Sequence, residues 1–220
     1  MKDKKDIVIQ IEDHYGDNCV GDSCNCKESN TRKPEGEVQI YEVLDDGLKK
    51  LVQKSNLVVY VGRELLAERL INENVSGVTP DKDEYLCWFG LGSGGVDASD
   101  PFTPLPPTNT DTDLTTEIPI SATDTTCGDF HDGAYYKHPF DSIVTEVDPA
   151  NDNKMLIHKT TTTIGSADAV GYNFSEAGLF TALTNAGGYS GQFSLFARVT
   201  FPTIVKTATR RLIFIWYLYL

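Results

Sequence analysis

The chain has 220 residues, 40% of them apolar or aromatic, and a formal net charge of −13 at pH 7. That apolar content is sufficient for the core of one large domain, or of one domain with a smaller appendage. Because the phosphate backbone of nucleic acids repels an acidic surface, the charge argues against direct nucleic-acid binding.

The first 36 residues predict a flexible N-terminal arm, and residues 37–220 a single β-rich domain. The start of the chain is charged and lacks the apolar run of a signal peptide, so we expect synthesis in a cytoplasm. No apolar run reaches the length of a membrane helix, and we expect no membrane insertion. The odd number of cysteines, five, agrees with a reducing compartment.

Three of these cysteines cluster within the arm, and a histidine precedes them. Thiolates and imidazole are preferred zinc ligands, so a structural zinc site is conceivable. The one-residue gap between the last two cysteines departs from the usual spacing, and reduced cysteines in a polar loop are the favoured interpretation. The candidate ligands are His14, Cys19, Cys24 and Cys26. No cofactor is predicted.

The segment that follows the arm alternates predicted helix and strand. Apolar residues from Val43 to Val52 fall near helical spacing and predict a helix near 41–54, despite Gly47. Residues 57–61 read as a short strand, and the Leu-rich run at 63–72 predicts a second helix.

A glycine-rich stretch, Gly92–Gly95, follows the predicted strand Tyr85–Leu91. Such a loop after a strand can cradle a phosphate, but no Gly-Lys-Ser/Thr sequence ends it and no helical pattern follows. A wide structural turn is the favoured interpretation.

Residues 97–133 form the longest irregular stretch, rich in Pro, Thr and Asp. Such a composition favours an extended path over a surface, and we expect this loop to drape across an adjacent subunit. Its acids offer oxygen ligands for calcium, but the spacing of an EF-hand is missing. The acids concerned are Asp111, Asp113, Glu117, Asp124, Asp129 and Asp132.

No set of residues predicts catalysis. His131 and His138 flank Tyr135-Tyr136-Lys137 and lie near Asp129 and Asp132, a combination that resembles an acid–base cluster. The same residues are typical of an ordinary polar loop. Ser190 misses the spacing of a nucleophile elbow by one position, and Cys87 lies in an aromatic strand where a thiol is buried and inert. Neither catalytic nor cofactor-binding residues are therefore predicted.

The last third of the chain is rich in strand-forming residues separated by turn-rich segments, and its final nine residues are apolar or aromatic. The predicted fold is mainly β within the α+β class: an antiparallel β-sandwich-like domain with one or two helices and long extended loops or arms. The predicted strands are Ser142–Val147, Met155–Ile164, Gly171–Thr181, Ser194–Thr203 and Leu212–Leu220.

One pattern in this last third consists of Asn173–Phe180, Leu195–Pro202, Lys206-Thr207 and the terminal strand Ile213–Leu220, in that order. This pattern resembles virion proteins of tailed bacteriophages. In tail, neck, baseplate or fibre-attachment proteins, a block of this kind closes a β domain. The resemblance implies a virion structural role and rests on the order and spacing of all its pieces.

Within this block Glu176 and Arg198 can form a carboxylate–guanidinium bridge across an antiparallel ladder. Two solvated charges on an outer face are the alternative. Either way, the expected role is structural, since no nucleophile, second acid or histidine lies nearby in sequence. The full set of predicted structural or interface residues is Glu176, Arg198, Phe201, Pro202, Trp216, Tyr217 and Tyr219.

These observations predict a non-enzymatic structural subunit of a tailed-phage virion, assembled in the host cytoplasm. Its expected partners are copies of itself in a symmetric ring and other tail, neck or baseplate proteins, with open strand edges such as Ile213–Tyr219 pairing with neighbours. Residues 1–150 hold 13 basic and 29 acidic residues, whereas residues 151–220 hold 6 basic and 3 acidic residues. The two portions therefore carry opposite net charges, which favour head-to-tail docking of subunits or simply confer solubility.

The alternatives are a receptor- or carbohydrate-binding module of a fibre and a tail-associated cell-wall hydrolase. An exposed aromatic platform would favour the binding module, with Trp88, Tyr135, Tyr136 and Tyr189 as its candidates.

Overall fold

The computed structural model describes residues 36–71, 84–126, 128–147, 156–185 and 188–219, all within a compact unit that spans residues 33–220. The predicted arm, except for Gly36, and its candidate zinc ligands His14, Cys19, Cys24 and Cys26 lie outside these ranges. In the described ranges, no helix has the length and apolar character needed to span a bilayer. The elements are β1 (Gly36–Leu44), β2 (Gly47–Val58), α1 (Tyr60–Ile71), β3 (Glu84–Gly92), β4 (Val96–Asp97), β5 (Asp100–Pro104), β6 (Phe130–His131), β7 (Ala134–Tyr135), β8 (Lys137–Pro139), β9 (Ser142–Val147), β10 (Leu156–Ile164), β11 (Asn173–Asn185), β12 (Gly188–Val205) and β13 (Leu212–Tyr219).

One antiparallel sheet of nine strands dominates the fold, in the order β8-β3-β11-β12-β2-β1-β13-β10-β9. We call β2-β1-β13-β10-β9 the first half-sheet and β8-β3-β11-β12 the second. Among the described strands, they join only where the end of β2 pairs with β12, at Val58↔Ala197 and Leu57↔Arg198. The sheet curls so that the two half-sheets pack face to face around a core, and the mainly-β α+β prediction is confirmed.

Strand β13 supplies the centre of that core. Its residues alternate between buried and half-buried, and Leu212, Phe214, Trp216 and Leu218 all face inward. The ring of Phe214 lies 4.8 Å from that of Phe89 on the second half-sheet, centroid to centroid. Because β13 pairs with β1 on one side and β10 on the other, the expectation that Ile213–Tyr219 offers an open edge is wrong.

The helix predicted near 41–54 is also wrong, because this stretch forms the β1–β2 hairpin. The chain turns at residues 45–46, and Gly47 has φ +139°, a conformation that ends any helix and suits glycine. β1 is hydrogen-bonded on both sides, and its inward Val38 and Ile40 are fully buried. Tertiary pairing and burial therefore override the near-helical spacing of the apolar residues.

The helix predicted at 63–72 is present as α1. Leu65 and Leu66 pack against the core, while the side chains of residues 67–71 lie outside the description. The helix approaches β12 so closely that a Cβ at Gly62 would lie 2.3 Å from the carbonyl oxygen of Phe196. Only glycine fits this contact.

The long irregular stretch packs against its own chain over much of its length. Ile118 and Ile120 are buried in the main core, and Leu114 is buried in a second cluster on the outer face of the second half-sheet. The Ile118 amide donates to the Leu91 carbonyl at the edge of β3, at 3.0 Å. Residues 114–121 therefore help to complete the fold of their own domain, and draping of the loop across an adjacent subunit stays a prediction.

Candidate functional site

A fully buried carboxylate, that of Glu176 on β11, organises the outer face of the second half-sheet. Its oxygens accept backbone N–H bonds from Gly94 at 3.0 Å, Thr116 at 3.1 Å and Thr115 at 3.3 Å. The Arg198 guanidinium on β12 also donates to it, with Nε 2.9 Å away. A buried carboxylate needs this many donors, because an uncompensated charge in a dry site is strongly destabilising.

Arg198 itself contacts three acceptors. Besides Glu176, it donates to the Asp111 carboxylate at 2.6 Å and to the Thr115 hydroxyl at 2.8 Å. Although burial opposes the charged form, the bonds to Asp111 and Glu176 raise the pKa of Arg198 above its usual range. The predicted Glu176–Arg198 bridge is confirmed, and its place is the interior rather than a solvated face.

Asp111 carries the bridge into the long loop. Its carboxylate accepts bonds from the backbone amide and hydroxyl of Thr108 as well as from Arg198. Burial would raise the pKa of Asp111, but these bonds outweigh it and hold that pKa below its ordinary value. The three charges thus fix the loop at residues 108–116 onto β11 and β12.

Two amides of the glycine-rich stretch Gly92–Gly95 donate to side chains of the domain itself. Gly94 donates to Glu176, and Gly95 donates to the Ser175 hydroxyl at 2.9 Å. A Cβ at Gly95 would lie 2.3 Å from the Ser175 carbonyl, and one at Gly92 would lie 2.5 Å from a Glu176 oxygen. These glycines therefore allow a close approach, and Glu176 occupies the position that an anionic ligand would need.

A second buried cation, Lys137 on β8, lies on the same outer face. Its side chain is 2% exposed, and its ammonium contacts the Glu117 carboxylate directly and that of Asp129 at 3.5 Å. The ammonium also lies 4.1 Å from the centroid of the Phe180 ring, a cation–π contact. Lys137 therefore joins the loop to β11 in a way that parallels Arg198.

The acids around Lys137 retain partial access to solvent. Burial raises the pKa of Glu117 in spite of the nearby Lys137. Glu117, Asp129 and His131 place potential ligand atoms within 4.8 Å of one another, and this is the one such group among the described residues. The ammonium of Lys137 already contacts both carboxylates, so it would compete with a metal ion for the same oxygens. The six acids considered for calcium do not form one site, because Asp111 is paired with Arg198 whereas Glu117 and Asp129 contact Lys137.

The two loop histidines do not meet. His131 stacks on the Tyr136 ring at 3.7 Å, centroid to centroid, whereas His138 contacts the carbonyl of Pro139. The acid–base cluster that their spacing imitates is therefore not assembled around both histidines.

The remaining block residues divide between core and surface. Phe201 and Trp216 are fully buried in the domain's own core, which fits the structural role among the two predicted roles, structural or interface. Pro202, Tyr217 and Tyr219 are half-buried, and an interface role for them stays a prediction. Lys206 is 1% exposed and donates to the carbonyls of Ser166 and Thr207 at 3.3 and 3.2 Å; burial lowers its pKa.

The proposed aromatic platform is only partly available. Trp88 is 2% exposed and belongs to the outer-face cluster, so it cannot serve on an exposed surface. Tyr135 and Tyr136 are half-buried on or beside the β6–β7 hairpin, while the side chain of Tyr189 is not described. Phe130, which sequence reasoning did not single out, is 58% exposed and lies 4.7 Å from the Tyr135 ring.

Sequence reasoning also missed the role of Lys137. A lysine between two aromatic residues and a proline gives no periodic signal of burial. Its function depends on two carboxylates that lie 20 and 8 residues earlier in the chain.

Comparisons with protein-family models, with curated proteins and with solved structures found no match to this chain.

Proposed function

We propose that this protein is a non-enzymatic structural subunit of a tailed-phage virion, acting through assembly in a neck, tail or baseplate ring or as a fibre-attachment adaptor. The proposal rests on the block Asn173–Phe180, Leu195–Pro202, Lys206-Thr207 and Ile213–Leu220, whose order and spacing resemble such proteins.

One observation carries the proposal: the separate pieces of that block meet in space. Phe174, Phe201 and Phe214 come from its three strands, and their ring centroids lie 6.1 to 6.5 Å apart. Glu176 and Arg198, its two buried charges, form one ion pair. The spacing of the pieces is thus what a single packed unit requires, which supports the view that the block is a scaffold and not a chance arrangement of letters.

The buried charges suit a rigid structural role better than a chemical one. Glu176 and Arg198 are both occupied by fixed partners, and their network anchors an irregular loop to two central strands. A buried network with every member satisfied makes a local structure rigid. A subunit that transmits position through its interfaces needs such rigidity.

The deciding experiment is to locate the chain in particles made by the genome that encodes it. We expect mass spectrometry of washed, DNA-filled particles to find it at a fixed ratio to other tail proteins. We expect gold-labelled antibody to mark the tail, neck or baseplate, and not the capsid. Absence of the chain from such particles would refute the proposal.

A glycan-binding module of a fibre is the second candidate, favoured by the exposed Phe130 beside Tyr135 and the stacked His131–Tyr136 pair. Exposed rings next to carboxylates can hold sugars by stacking and hydrogen bonding. Binding to a glycan array that is lost in Phe130→Ala, but kept in Phe102→Ala, would favour this candidate. Phe102 is the matched control because it is also exposed, at 75%, on β5.

A further inference from the structure

The strand β9 differs from the edges that β2, β12 and β8 form. It closes the first half-sheet, and among the described residues it pairs only with β10. All six of its residues are exposed, including Ile143 at 49%, Val144 at 47% and Val147 at 45%. An apolar edge strand with free backbone groups is a template for pairing with another strand.

The other edges carry features that discourage such pairing. β2 contains three lysines, Lys49, Lys50 and Lys54, and has a register shift in its ladder with β1. β12 carries Pro202 where it separates from β2, and β8 has three residues that end in Pro139. Lysine, bulges, proline and short length all protect edges. β9 has neither lysine nor proline, and its ladder with β10 is regular.

The register assigns a face to each residue of β9. Ile143 lies opposite Thr160, which lies opposite the buried Trp216, and Thr145 lies opposite His158. Directly opposed residues of an antiparallel ladder share a face. Ile143, Thr145 and Val147 therefore continue the inner, core-lining face of the first half-sheet beyond the cover of the second, while Val144 and Glu146 lie on the outer face.

We propose that β9 is a self-docking edge, which pairs antiparallel with β9 of a second copy of this chain about a two-fold axis. A two-fold axis perpendicular to the sheet preserves its faces, so only registers centred on a residue are allowed. With Thr145 at the centre, Ile143 lies opposite the partner's Val147 on both sides of the axis. The inner faces of the two copies then form one continuous apolar strip.

The same register suits the outer face and the charges. Val144 lies opposite the partner's Glu146, so that the two Glu146 carboxylates are not directly opposed. β-branched pairs and a central Thr–Thr pair are favourable cross-strand neighbours. β9 is therefore complementary to itself in this register. This self-complementarity identifies a second copy of the chain, rather than another protein, as the partner of β9.

An isologous contact of this kind closes on itself and joins copies in pairs. A ring of subunits requires a second, different surface, so the β9 contact would join two rings through two-fold axes perpendicular to the ring axis. The inference deepens the proposed function and, as a statement about the virion, rests on it. The pairing itself is a property of the isolated chain.

The test has a register readout and an association readout. In the proposed register, the two Thr145 Cα atoms are about 4.5–5.5 Å apart, within the range that a disulfide bridges. Thr145→Cys should therefore give a self-linked peptide under mild oxidation at about 1 mM chain, identified by mass spectrometry so that the native cysteines do not interfere. Ile143→Cys is the matched control, because the two copies of that residue are about 14 Å apart in this register.

Light scattering over a concentration series gives the second readout. We expect the mass to rise from 24.3 kDa towards twice that value, and Ile143→Lys and Val147→Lys to hold it at the monomer. Leu48→Lys, at a 57% exposed position on the opposite edge of the first half-sheet, should behave as wild type. Loss of association in Leu48→Lys, or no self-linked peptide in Thr145→Cys, would overturn the proposal.

These outcomes separate the inference from the proposed function. If the chain is found in tail particles but its Thr145→Cys variant does not self-link, the β9 pairing is refuted and the virion role is not. A chain that self-links but is absent from particles refutes the virion role alone.

Discussion

Arg198 and Lys137 are two buried cations that do the same structural work on the outer face of the second half-sheet, in different surroundings. Arg198 meets a carboxylate that is fully buried and also receives three backbone N–H bonds. Lys137 meets Glu117 and Asp129, whose side chains remain 17% and 25% exposed. We therefore expect the loss of stability on removing either cation to depend on whether its most buried partner carboxylate can be hydrated once the cation is gone.

Removing the cation from the sealed site should have the largest effect. Arg198→Met leaves the Glu176 carboxylate buried with no countercharge, which should lower the free energy of unfolding by about 3–5 kcal/mol. Urea unfolding followed by circular dichroism measures this loss. The double variant Arg198→Met/Glu176→Gln should recover part of it, because the buried charge is then absent. If the double variant were as unstable as the sum of the single variants, the coupling between these residues would be refuted.

The close approach of the glycine loop to Glu176 should give the next largest effect. Gly95→Ala places a Cβ 2.3 Å from the Ser175 carbonyl oxygen, so the backbone must move and disturb the donors to Glu176. We expect a loss of about 3 kcal/mol, at the upper end of the range for overpacking. Gly165→Ala is the control, since its Cβ would meet only the movable Asp168 carboxylate. Equal losses in the two variants would contradict this explanation.

The fold was largely predictable where the local sequence of a segment is sufficient to determine its secondary structure. Each predicted strand of the last third is present, because β-branched and aromatic runs bounded by turns leave few alternatives. The β1–β2 hairpin was not predictable from its own letters, since Val43–Val52 has near-helical spacing and only pairing with β13 settles the matter. Likewise, the Glu176–Arg198 pair could be inferred from two neighbouring strands. Asp111 and Lys137 could not, because loop contacts bring them to their partners.

Removing the cation from the more open site should have a smaller effect than either change at the sealed site. Lys137→Met keeps most of the side-chain volume beside Phe180 but leaves Glu117 and Asp129 without their ammonium. Water can reach both carboxylates in part, so we expect a loss of about 1–3 kcal/mol in urea unfolding. A loss as large as that of Arg198→Met would show that the two sites are equally dry, and would remove the contrast between them.

The two sites should also differ in the sign of their pH dependence, which is the smallest effect and the sharpest test. The folded state holds the pKa of Asp111 below its ordinary value of 3.8, so its carboxylate stabilises the fold above that value. This stabilisation is lost as the pH falls through the lowered pKa.

Burial raises the pKa of Glu117 above its ordinary value of 4.5, so the protonated carboxyl stabilises the fold below pH 4.5. This contribution is lost as the pH rises through the raised pKa. Unfolding free energies of the wild type, Asp111→Asn and Glu117→Gln, measured from about pH 3 to about pH 8, should separate the two contributions. The advantage of wild type over Asp111→Asn should grow with rising pH at the acid end, while its advantage over Glu117→Gln should shrink as the pH rises from 4.5. If both differences changed in the same direction, the opposite pKa shifts assigned to Asp111 and Glu117 would be refuted.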